Sequence, residues 1–172
     1  RSTFIILCSI ILVFLFTNSF ERIFKSKGAT ITMSQRLIII RGIPGSGKST
    51  YAKKLKQELF EQNKSCTHFE ADMFFMKDGK YNWNPKLIGL AHKWCYESVF
   101  NSFDNGTEIV IVSNTFVTLK EMANYIDTAK KRNIPVTVYR MNNEFKNEHS
   151  VPDDVITKMK SNFVDYENEI II

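Results

Sequence analysis

The stretch Gly42-Ile43-Pro44-Gly45-Ser46-Gly47-Lys48-Ser49-Thr50 reads G-x-x-x-x-G-K-[ST] and follows directly on the apolar run Leu37-Ile38-Ile39-Ile40. A loop of this pattern between a strand and a helix binds phosphate. Its glycines let the backbone curl so that successive N–H groups face the phosphate oxygens. Lys48 adds a mobile cation for the β and γ phosphates. The Ser49 hydroxyl can hold Mg²⁺, with Thr50 beside it for metal and phosphate. The helix that follows turns its positive end to the same anion. The expected ligand is therefore a nucleotide with Mg²⁺. No Asn-Lys-x-Asp sequence for reading guanine is present, which favours ATP.

In an open α/β sheet, ligands bind beyond the carboxyl ends of the strands. That rule selects three further places. Glu70-Ala71-Asp72 offers a carboxylate that could take a proton from a hydroxyl during phosphoryl transfer, or could simply cap a helix or face water. Ser113-Asn114-Thr115 occupies a position where many phosphate-loop enzymes carry a metal-steadying Asp. With Ser113 there, metal binding leans on Ser49, the phosphates and water. Asn114 and Thr115 are candidate ligand contacts, the alternative being an ordinary polar turn. The basic segment from Arg140 through Lys146 to His149 could set a cation against the transferring phosphoryl group, the alternative being solvated surface. No H-E-x-x-H, G-x-S-x-G or Cys–His arrangement points to metalloprotease or acyl-transfer chemistry.

The elements that must position these residues alternate strand and helix, which predicts a largely parallel sheet covered by helices. Strands are expected at Leu37–Arg41, Thr67–Glu70, Ile109–Val112 and Pro135–Met141. Lys48 to Gln62 reads as a helix with Ala52, Leu55 and Leu59 facing the core. Asp78-Gly79 and Asn84-Pro85 are turn signals, and Pro85 opens a helix whose stripe is Leu87, Leu90, Ala91, Trp94, Cys95 and Val99. Thr118-Leu119-Lys120-Glu121 is a capping box for a helix reaching Arg132. Ser150 caps a last helix with Pro152 inside its first turn and Asp153 near its positive end. Ile170-Ile171-Ile172 has no assignment from sequence.

The chain has 172 residues and a formal net charge of +5, room for one domain with a mildly basic surface suited to an anionic ligand. Residues 4–16 form an apolar run shorter than the ~20 residues a spanning helix needs. Residues 1–32 are accordingly expected to lie outside the functional domain, taken as 33–172. The expected location is cytoplasmic. The alternative is an anchor at 4–16 with the domain on the cytoplasmic side and membrane contact through that run alone. Cys8, Cys66 and Cys95 are widely spaced and suggest neither a disulfide framework nor a zinc site.

Several segments occur together in one group of proteins: Leu37–Thr50, Glu70–Phe75 with Asp78-Gly79-Lys80-Tyr81, Ala91–Cys95, Ile111–Thr115 and Asn147–Pro152. They resemble the short P-loop ATP-binding proteins related to the 5′-hydroxyl polynucleotide kinase of bacteriophages, from about Gln35 to Glu167. The resemblance implies an α/β P-loop NTPase fold, a three-layer sandwich of mostly parallel sheet with helices on both faces. It also implies an ATP-dependent phosphotransferase with Asp72 at the general-base position, and Asp72 stands with Ser49 as a candidate metal ligand. Met73 replaces a second Asp of that group, Ser113 replaces the third-strand Asp, and Lys146 stands where a lid Arg is expected. The expected activity is transfer of the ATP γ-phosphoryl group to a hydroxyl acceptor, a polynucleotide 5′-OH, a nucleotide or a small molecule. The alternative is a nucleotide-binding module, non-catalytic or weakly hydrolysing ATP, that acts through a partner.

Overall fold

A strand that must be apolar at every position is one buried on both faces, and Leu37 to Ile40 form such a strand. A computed structural model describes residues 35–145 and 151–172. The chain runs β1 (Arg36–Arg41), α1 (Lys48–Glu61), β2 (Cys66–Phe69) and a 3-10 turn (Ala71–Phe75). A hairpin of β3 (Met76–Lys77) and β4 (Lys80–Tyr81), a second 3-10 turn (Pro85–Leu87) and α2 (Ile88–Asp104) follow. The remainder is β5 (Ile109–Ser113), α3 (Leu119–Lys131), β6 (Val136–Arg140), α4 (Asp153–Ser161) and β7 (Ile170–Ile171). The apolar run at 4–16, Lys146, His149 and the expected cap Ser150 lie outside the described residues. Among the described residues, no helix is long and apolar enough to cross a membrane.

The five main strands pair in the order β2-β5-β1-β6-β7, all in parallel. Alternation along β1 sends Leu37 and Ile39 to one face and Ile38 and Ile40 to the other. Leu37 and Ile39 join Val110, Val112 and Val138 beneath α2 and α3, where Cys95, Val99, Met122 and Tyr125 close the layer. Ile38 and Ile40 meet Ile111 and the α1 residues Ala52, Leu55 and Leu59. Each such aliphatic side chain contributes roughly 1.5–3 kcal/mol by leaving water. The outcome is the α/β P-loop fold expected from the sequence, helices covering both faces of a parallel sheet.

Some local expectations change. The buried line of α2 runs through Ala91, Cys95, Val99 and Phe103 in steps of four. Leu90 lies roughly 100° around the helix from that line and is 54% exposed, not core. Pro152 precedes α4 with an extended ψ of 144°, outside the first turn, which carries Asp153 and Asp154 at its positive end. At the start of α3, Glu121 does the capping. It accepts from the Val117 N–H at 3.1 Å and from the Thr118 hydroxyl at 3.0 Å. The terminal isoleucines have a function after all: Ile170 and Ile171 extend the sheet beside Tyr139 and Arg140.

Arg41, the last residue of β1, is fully buried. Its guanidinium donates to the carbonyls of Phe116 (3.1 Å), Val117 (3.2 Å) and Val164 (2.8 Å), and to the Glu169 carboxylate (2.9 Å). It also lies 4.2 Å from the centre of the Phe163 ring. Burial lowers its pKa, and Glu169 opposes that shift. Arg140 packs on the same ring and shares Glu169 at 3.2 Å. Arg41→Ala is therefore expected to reduce unfolding free energy by about 3 kcal/mol or more, the scale for breaking a buried ion pair. Urea unfolding measures this, and a loss below about 1 kcal/mol, the scale of a single exposed pair, would refute the assignment.

Candidate nucleotide-binding site

The phosphate loop starts where β1 ends, between the carboxyl ends of β5 and β6. The Gly42 N–H donates to the Thr115 carbonyl at 3.1 Å, which pins the loop to the segment after β5. A Cβ on Gly42 would stand 2.6 Å from Ser46 Oγ and 2.7 Å from the Met141 carbonyl, so no larger residue fits. Gly47 takes the left-handed φ of 86° at the cap of α1, and a Cβ there would meet the Phe145 ring at 3.0 Å. Ser46 and Gly45 hold the loop's shape through Ser46 N–H to Ile43 O (3.2 Å) and Phe145 N–H to Gly45 O (2.8 Å). The first turn of α1 contains no acidic residue to offset its positive end. The Ser46 hydroxyl is buried with no hydrogen-bond partner among the described residues. Beside the loop, a cavity of about 150 Å³ is lined by Gly42, Ile43, Met141, Asn142 and Phe163 among others.

Lys48 donates to the Ile43 carbonyl at 2.8 Å. Burial depresses its pKa to about 8, while the charges of Glu70 and Asp72 pull the other way. Ser49 lies next to it, close enough to the Glu70 carboxylate to lower its pKa. Thr50 is exposed.

Glu70 follows directly on β2, and the pairing of Phe69 with Val112 sets it next to Ser113. The Ser113 hydroxyl donates to Glu70 Oε1 at 2.5 Å. His68 Nε2 lies 2.7 Å from Ser113 Oγ and 3.3 Å from Glu70 Oε1. Burial pushes the Glu70 pKa up, but hydrogen bonds from His68, Ser113 and Ser49 outweigh it and hold the carboxyl down to about 2. Of the two carboxylates in Glu70-Ala71-Asp72, the one tied to the end of β5 is thus Glu70. The motif singled out both, but only strand register tells them apart.

Asp72 lies one residue into the 3-10 turn, where its Oδ1 accepts from the Tyr81 hydroxyl at 3.1 Å. Burial and the Asp72 charge push the Tyr81 pKa up to about 12. Trp94 packs against Phe69 and Phe74, supporting the turn from beneath. Asn114 faces inward: its Oδ1 accepts from the Ala71 N–H at 2.9 Å and its amide reaches Cys95 Sγ at 3.6 Å. It braces the start of the Asp72 turn against β5. Arg140 reaches Asp165 and Glu169, its charge tied to the C-terminal segment.

A phosphate loop after the central strand, with paired carboxylates at the end of the neighbouring chain segment, defines a nucleotide-binding protein of the P-loop kinase-like class. The chain belongs to the KTI12 family, described as chromatin associated protein KTI12, whose profile matches residues 35–165. It is 30% identical to an uncharacterised protein of Pasteurella multocida, over 80% of this chain and 83% of that one. It is also 29% identical to human NEDD4-binding protein 2, over 74% of this chain but only 8% of that much longer protein. Among solved structures, Kti12 of Chaetomium thermophilum in complex with ADP-AlF3 has a TM-score of 0.58 at 14% identity, covering 79% of this chain and 88% of that one. The APS kinase CysC of Mycobacterium tuberculosis, in complex with AMPPNP and APS, gives 0.59 at 14% identity, covering 81% and 88%. These likenesses are of fold.

The depressed Lys48 pKa generates a test with a defined sign. A lysine that titrates near pH 8 loses its charge as pH rises, and a bound phosphate restores the protonated form. ADP affinity is expected to fall between about pH 7 and 9, and binding near the upper end to take up a proton. Calorimetry in buffers of different ionisation enthalpy reads both, with Lys48→Met expected to flatten the profile. An affinity independent of pH across that range would exclude Lys48 as the phosphate cation.

Proposed function

We propose that this domain binds Mg·ATP and transfers the γ-phosphoryl group to a hydroxyl acceptor. The observation that carries this reading is the placement of Asp72. It lies close enough to Lys48 for its charge to act there, and it accepts a hydrogen bond from the Tyr81 hydroxyl. In this reading Gly42 to Thr50 cradle the β and γ phosphates, and Lys48 neutralises charge as it builds on them. Asp72 accepts the acceptor's hydroxyl proton as the new O–P bond forms and the bond to the β-phosphate oxygen breaks, releasing ADP. Mg²⁺, when bound with the nucleotide at Ser49, would supply neutralisation between the β and γ phosphates. Lys146 remains the proposed lid cation.

A polynucleotide end is the acceptor that the surface beside Asp72 favours. The hairpin and the loop after it present Lys77, Lys80, Tyr81 and Trp83, and Trp83 is 56% exposed. Exposed aromatic faces interleaved with cations suit an unpaired strand, with stacking contributing about 1–3 kcal/mol per base. A second reading, a nucleotide-dependent module without transfer, draws on Ser113, where many P-loop enzymes carry Asp.

Incubation with γ-labelled ATP and a panel of 5′-hydroxyl oligonucleotides, nucleosides and small alcohols separates the two. Label is expected on the oligonucleotide, and Trp83→Ala is expected to lower kcat/KM for it by about tenfold. Asp72→Asn is expected to keep ADP binding while losing about 10²–10⁴ in turnover. Equal turnover in Asp72→Asn and the wild type would remove the base assignment. ADP binding without transfer to any acceptor would favour the module.

A further inference from the structure

We infer that Glu70 supplies, from the end of β2, the metal-directed carboxylate that the end of β5 lacks, so that Mg²⁺ binds with the nucleotide between Ser49 and Glu70. The inference rests on the nucleotide reading of the phosphate loop and reassigns the metal role expected of Asp72. β2 and β5 are adjacent and parallel, with Phe69 opposite Val112, so the residues that follow each strand are neighbours. A carboxylate on either strand can therefore serve nearly the same volume.

The hydrogen bonds single out Glu70 for that volume. Its carboxylate accepts from Ser113 at 2.5 Å, the residue at the position of the missing Asp, and lies close to Lys48 and Ser49 of the phosphate loop. His68 approaches the same oxygen at 3.3 Å from within the strand, and fixes the Ser113 hydroxyl at 2.7 Å. The donor set suits Mg²⁺, a hard cation that takes one or two carboxylates together with phosphate oxygens and water. Ser49 and Glu70 provide the protein's share, and His68 and Ser113 orient the carboxylate. The two acids of Glu-x-Asp then divide the work. Glu70 turns to Ser113 at the end of β5, while Asp72 turns to Tyr81 and the acceptor side.

The test reads metal linkage and needs no turnover. ADP affinity is measured by calorimetry with Mg²⁺ and with chelator, and Mn²⁺ bound with ADP is followed by electron paramagnetic resonance. In the wild type, metal is expected to tighten ADP binding. In Glu70→Gln, the metal-dependent gain, taken as the ratio of affinities with Mg²⁺ and with chelator, should fall about 10–100-fold, the range for disturbing a metal's ligand environment. The exchange variant Glu70→Ser with Ser113→Asp, which returns the carboxylate to β5, should recover the gain and the Mn²⁺ signal. A full metal-dependent gain in Glu70→Gln would overturn the inference while leaving nucleotide binding intact. Should Glu70→Gln lose ADP binding even in chelator, the exchange variant decides: a recovered Mn²⁺ signal supports the inference, and its absence overturns it. No ADP binding by the wild type under either condition would overturn the nucleotide reading itself, and the metal assignment with it.

Discussion

A guanidinium held away from water, one residue before the phosphate loop, is the contact on which the C-terminal part of the domain depends. An unpaired charge in such a place would be prohibitive, so Arg41 must find acceptors from every segment around it. Its planar fork suits that demand, because it can donate in several fixed directions at once. The carbonyls of Phe116 and Val117 bring in the segment after β5, and Val164 and Glu169 bring in the segment after α4. A lysine, with one ammonium point, could not gather all of these. The same knot borders Gly42, whose lack of a side chain allows β1, Ser46 and Met141 to approach closely. Loop shape and tail attachment are therefore one packing problem.

The site pairs a concentrated cation with a separated pair of anions. Lys48, the start of α1 and the loop's N–H groups form the positive side. Glu70 and Asp72 form the negative side, one held by Ser113 and His68 and the other by Tyr81 of the hairpin. The end of β5 contributes hydroxyl and amide groups in place of a carboxylate, with Ser113 donating to Glu70 and Asn114 bracing the turn. Charge that many P-loop proteins put on one strand is thus found on its neighbour.

What the sequence made legible follows from how local each signal is. The phosphate loop and the strand before it are read from contiguous residues, and the both-face burial of β1 from its unbroken apolar run. The role of Glu70 was not legible, because choosing between two acids separated by one residue requires the register of β2 against β5. Asn114 was a candidate ligand contact by its place beyond the carboxyl end of β5, and its bonds to Ala71 and Cys95 come from segments that its own neighbours in sequence do not reveal. Arg41 was legible only as the last residue of a strand, and arginine is seldom fully buried. Its acceptors lie 75 to 128 residues further along the chain. The terminal isoleucines show the same limit: a two-residue edge strand is defined by its neighbour β6, and nothing within its own sequence marks it.

The strand order has a consequence for how the molecule comes into being. β1 is the first strand of the domain, yet its partners are β5 and β6, with Leu37 opposite Val110 and Val136. It is therefore made before either strand it pairs with, and closing it against both spans roughly a hundred residues of chain, a non-local closure of the kind that slows folding. The phosphate loop at its end can take its final shape only once Thr115, Met141 and Phe145 are in place. The first-written motif is thus among the last parts to be assembled, and a nucleotide can reward only chains that have already closed the sheet.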